Sequence, residues 1–63
     1  MNNKIKELRK EQGLTQKELA EKSGVARTII NQLETGKKEL ITVNTMIKLS
    51  DALDKSVSEI FLL

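Results

Sequence analysis

The stretch Gly24–Gly36, GVARTIINQLETG, decides how this chain is read. Set on a helix at about 100° per residue, Arg27, Asn31, Thr35, Thr28 and Gln32 fall on one arc of about 140°. Ile29, Ile30 and Leu33 fall on the other side. The apolar side is a packing stripe. The polar arc carries one guanidinium, two amides and two hydroxyls, with Glu34 at its margin. A face that only needs to be wet is usually Lys and Glu. This one is made of groups that fork, or that both donate and accept.

Outward from that stretch, the chain reads as five short helices and no strand. Gly13, Gly24 and Gly36 each follow a helical pattern, where a left-handed residue commonly ends a helix. The first helix is expected from about Asn3 to Glu11 or Gln12, with Ile5 and Leu8 inward. The second follows Thr15: in TQKE the Thr15 hydroxyl can accept from the Glu18 N–H while the Glu18 carboxylate reaches back, a capping box. Leu19 and Ala20 face inward. The third is the opening stretch, from about Arg27 to Glu34. The fourth follows Thr42, with Met46, Ile47, Leu49 and Leu53 as its apolar positions. The fifth follows Ser56, where SVSE is a second capping box, and ends in Ile60, Phe61, Leu62 and Leu63. EKSGVA leaves three residues or fewer between the second and third helices. Such a tight turn joins helices at about 90–120° in a helix-turn-helix. Ala20, four residues before Gly24, supplies the small side chain that so close a crossing needs.

Composition narrows the functions. With 63 residues the chain is one domain at most, read as 1–63, and its core is thin. Phe61 is the only aromatic residue, too few for a small β-barrel. Without Cys or His it has no thiolate metal site and no imidazole base, so neither a metal nor a cofactor is expected. No apolar run approaches the roughly 20 residues of a membrane span, and the charged start lacks the apolar middle of a secretion signal. A cytoplasmic protein is expected. The net charge of +2 leans only weakly towards anionic partners. Between Ala26 and Lys38, however, three positive residues face one negative one.

From KIKELRKEQGLTQKELAEKSGVARTIINQLETGKK through IKLSDALDKSVSEIF, roughly Lys4 to Phe61, the chain resembles the Cro/phage-repressor, or XRE-like, helix-turn-helix domains. GLTQKELA, QLETG and SVSEIF are the most specific pieces. The resemblance implies an all-α, compact five-helix bundle whose helices 2 and 3 form the motif. It also implies binding to duplex DNA, typically as a dimer, and a role in transcription regulation. Four places depart from the family pattern: Ala26 where Ser or Thr is frequent, Thr35 where Asn is common, KKELIT in place of a more basic loop, and Asp54 where Gly is usual.

The major groove admits a helix, and its base edges present donors, acceptors and the thymine methyl. Arg can donate twice to guanine, Asn or Gln can pair with adenine, and Thr can bond either way. That is the chemistry of the arc. By resemblance, base contacts fall to Arg27, Thr28 and Gln32, with Asn31 a fourth; Ile29 either touches a thymine methyl or packs. Phosphate contacts fall to Gln16 at the start of the second helix, where free N–H groups favour an anion, and to Thr35, Lys37 and Lys38. Arg9 lies four residues after Ile5 and Glu34 four after Ile30, so both charges flank inward stripes. Family members pair these positions, and an Arg9–Glu34 salt bridge is expected. In the terminal apolar run, Ile60 and Phe61 can plug the core, while Leu62 and Leu63, with Phe61 as a candidate third, are read as a homodimer contact on a palindromic operator. A DNA-binding repressor is the leading function. The alternative is an antitoxin or adaptor of the same fold working through a protein partner. Catalysis is not expected, because no nucleophile–base pair or phosphate loop is present.

Overall fold

The computed structural model describes residues 2–38 and 40–62. Its elements are α1 (Ile5–Glu11), α2 (Gln16–Ser23), α3 (Arg27–Glu34), α4 (Val43–Leu53) and α5 (Val57–Phe61). Among the described residues there is no strand, and no helix is long and apolar enough to cross a membrane.

Local chemistry sets most of the boundaries. Thr15 and Ser56 each accept from the backbone N–H three residues on, and Glu18 and Glu59 return the bond, so both capping boxes are closed. These bonds hold the Glu18 and Glu59 carboxyls below the usual carboxylate range. Thr42 caps α4 by accepting from the Thr45 N–H. The start of α3 has no side-chain cap, as Ala26 implies. α1 begins at Ile5 and not at Asn3, because the Asn3 Oδ1 accepts from the Ile5 N–H at 3.1 Å and takes the chain into the helix. α4 ends at Asp54 in the left-handed region, at φ 54°.

Each helix contributes to one core. Ile5 and Leu8 come from α1, Leu19 from α2, Ile30 and Leu33 from α3, Leu49, Ala52 and Leu53 from α4, and Ile60 and Phe61 from α5; Val25 joins them from the turn. Each such Leu or Ile contributes roughly 1.5–3 kcal/mol by leaving water. Two expectations need correction. Ile47 is not a core residue: it is 48% exposed, because two helical steps put it about 160° around α4 from Leu49, and Ala52 packs inward in that helix. Phe61 is 4% exposed, so of its two readings it takes the core plug and not the contact with a second copy. Leu62 is exposed, while Leu63 lies outside the described residues.

Candidate nucleic-acid interface

The sharp joint that presents α3 is built from four residues. Gly24 ends α2 at φ 75°, and its N–H donates to the Ala20 carbonyl at 2.9 Å. A Cβ there would meet nothing within 4 Å, so glycine is required by conformation and not by space. The buried Ser23 hydroxyl accepts from the Val25 N–H at 3.1 Å, satisfying a donor that the turn leaves over. Val25, 5% exposed, inserts into the core and pins the bend.

From that joint α3 turns Ile30 and Leu33 inward, and Arg27, Thr28, Asn31 and Gln32 are all exposed. None of these four side chains has a hydrogen-bond or ion-pair partner among the described residues. Gln16, Arg27, Thr28, Asn31, Gln32 and Lys37 line one open recess of about 400 Å³. The structure thus brings together all four residues expected to read bases and two expected to hold phosphates. The other two stand apart. The Thr35 hydroxyl donates to the Asn31 carbonyl at 2.9 Å, closing its own helix. Lys38 is half-buried and lines a separate cleft with Ile29, Leu40, Ile41, Thr42 and Thr45. Ile29 packs against the core from the edge of the arc.

Behind the recess is the expected ion pair. Arg9 Nε donates to Glu34 Oε2 at 2.8 Å and Nη2 to Oε1 at 3.0 Å, a two-point fork. Arg9 Nη1 donates to the Leu14 carbonyl at 2.7 Å, and Gln16 Nε2 reaches Glu34 Oε1 at 3.1 Å. The side chains are 10% and 2% exposed, and the polar groups are satisfied. Burial pushes the Glu34 carboxyl up, but the bonds from Arg9 and Gln16 and the charges of Arg9 and Lys6 outweigh it and hold the group below the usual carboxylate range. The Glu34 bond raises the Arg9 guanidinium against the opposing effect of burial. One consequence is electrostatic. The only carboxylate between Ala26 and Lys38 is buried and neutralised, so Arg27 and Lys37 set the charge of the recess.

Three structural residues escape a reading based on helical periodicity. Asn3 Nδ2 donates to the Leu33 carbonyl at 2.9 Å, and Gln12 Nε2 to the Leu53 carbonyl at 2.6 Å. Ser23 is the third. A short amide just before the first apolar residue is a helix-start signal, so Asn3 was the most legible of them.

The helix-turn-helix family model matches residues 5–60. The chain belongs to this family. As a helix-turn-helix protein of the Cro/phage-repressor type, it is a DNA-binding domain of the kind found in transcription regulators, and the family is not an enzymatic one. A solved structure described as a SinR protein/SinI protein complex contains a similar chain, with 38% identity and a TM-score of 0.83. The match covers 87% of this helix-turn-helix chain and 53% of that one, about half its length. A comparison with curated proteins finds no match.

Proposed function

We propose that residues 1–63 act as one sequence-specific DNA-binding domain, which lays α3 in the major groove and regulates transcription in the cytoplasm as a repressor. The observation that carries this reading is the recess itself: four exposed polar side chains of α3, without a partner among the described residues, framed by Gln16 and Lys37. Polar groups that face solvent without such a partner are available to base edges. Arg27 suits guanine, Asn31 and Gln32 suit adenine, and Thr28 bonds either way or offers its methyl. Gln16 retains a second amide N–H beyond the one given to Glu34, and with Lys37 it takes the phosphates on either side. Thr35 and Lys38 serve the flanking backbone. The protein binds a palindromic operator as a homodimer, with Leu62 and Leu63 at the two-fold contact and the two reading helices about 34–36 Å apart. Selection of a duplex from random DNA, followed by titration of the selected and a scrambled duplex, tests the reading. The selected duplex should bind at least about a thousandfold tighter at physiological salt. Equal binding of both removes base readout, and a monomer by sedimentation bound one per operator removes the dimer.

An adaptor working through a protein partner is the second reading. Leu40, Val43 and Ile47 are 84%, 69% and 48% exposed, and the similar SinR chain is in complex with SinI. Absence of any binding to random duplexes at low salt would favour it over DNA recognition.

A further inference from the structure

The last turn of α3 is gripped from α1 and the residues leading into it at two points, and only one of them is the ion pair. The other is Asn3, whose Nδ2 donates to the Leu33 carbonyl at 2.9 Å. Leu33 O is among the last four carbonyls of α3, which lack partners within a helix. The Gly36 N–H that also approaches it stands at a long 3.4 Å. The opposite end of the Asn3 side chain is anchored too, because Oδ1 accepts from the Ile5 N–H at 3.1 Å. The next residue is fixed in turn: the Lys4 N–H donates to the Ile60 carbonyl at the end of α5, at 2.7 Å. Two consecutive residues therefore tie the start of α1 to the ends of α3 and α5.

The two grips on α3 differ in kind. Arg9 holds Glu34 by its side chain, whose rotatable bonds leave α3 some freedom to roll about its own axis. Asn3 holds the backbone itself, one residue earlier, and removes that freedom. A roll of more than about 20° is enough to spoil a geometry that must be held within roughly 10–20° and 0.5 Å. We propose that Asn3 is a positioning residue for base readout: its amide bridges the first turn of α1 to the Leu33 carbonyl and sets the roll of α3 before the base edges. This rests on the major-groove reading above.

Asn3→Asp and Asn3→Ser separate the two bonds. Each keeps an oxygen for the Ile5 N–H, and neither can donate to the Leu33 carbonyl: the carboxylate has no proton to give and the hydroxyl is too short. Affinity is measured for the selected and the scrambled duplex over a range of salt, below the melting transition of each variant, with Arg27→Ala in parallel. The expected result is a selected-to-scrambled affinity ratio reduced about fivefold in both Asn3 variants, with the salt slope of the unmodified chain. A merely structural bond would lower the melting temperature and leave the ratio intact, and that outcome overturns the proposal. If Arg27→Ala collapses the ratio while both Asn3 variants preserve it, positioning by Asn3 fails and base readout stands. An unchanged ratio in all three removes both.

Discussion

Arg9 and Arg27 are the same residue type in opposite circumstances, and so are Gln16 and Gln32. Arg9 is buried, forked onto Glu34 and bonded to the Leu14 carbonyl. Arg27, on the other face of the structure that Arg9 braces, is exposed with no partner among the described residues. Gln16 gives an N–H to Glu34, whereas the Gln32 side chain gives none among the described residues. The difference teaches what divides support from recognition. A polar group in a dry place must have its partners in the fold, and removing one exposes the full desolvation cost of the other. A polar group in water keeps its bonding capacity for a ligand, and removing it costs the fold little.

Arg9→Met should therefore have the largest effect, destabilising the domain by about 3–5 kcal/mol by leaving the Glu34 carboxylate buried with Gln16 alone. For a chain this small that is most of its stability, and thermal melting by circular dichroism would record it. A shift of under 1 kcal/mol would break the contrast, since Arg9 would then be no more structural than Arg27. Glu34→Gln should cost less, about 1.5–3 kcal/mol at neutral pH, because its carbonyl still accepts from Arg9. Its pH dependence sharpens the point. The folded-state pKa of Glu34 is held below the ordinary carboxylate value, so the advantage of the native chain over this variant is complete above that ordinary value. It is lost as the pH falls through the depressed value, and urea titrations from pH 7 to pH 3 would trace the convergence.

Arg27→Ala should leave melting within about 0.5 kcal/mol while weakening the selected duplex by about 1–3 kcal/mol, with relaxed preference at one base pair. Loss of stability comparable to Arg9→Met would show that the exposed arc supports the fold after all. The smallest expected effect is Lys37→Ala. Affinity should fall similarly for every duplex, and the salt slope should flatten by about one unit. An unchanged slope would return Lys37 to the solvent.

Much of this was legible along the chain. The capping boxes at Thr15 and Ser56, the bend at Gly24 and the left-handed Asp54 are local, and their signals lie within a few residues of their effects. The arc of α3 was readable because one helix generates it. What escaped was the angular position of single apolar residues and the partners of polar ones. Ile47 counted among the apolar positions of α4 yet faces outward, and Phe61 had two readings, core plug or two-fold contact, of which only the first fits its burial. Both were settled by which neighbouring helix reached them. Asn3 and Gln12 each bond a carbonyl far away in sequence, 30 and 41 residues off. No spacing rule encodes such distances.

The sequence by itself determined the five helices, their caps, the turn and the set of side chains that α3 turns outward. Those depend on short-range backbone chemistry and a 3.6-residue period. Tertiary structure alone decided which polar groups are spent inside and which remain for a ligand. That choice is made when α1, its leading residues and α2 meet α3, and Arg9, Gln16 and Asn3 find Glu34 and the Leu33 carbonyl. A hydrogen bond is satisfied by whatever lies within about 3 Å in space, and chain order does not fix that distance.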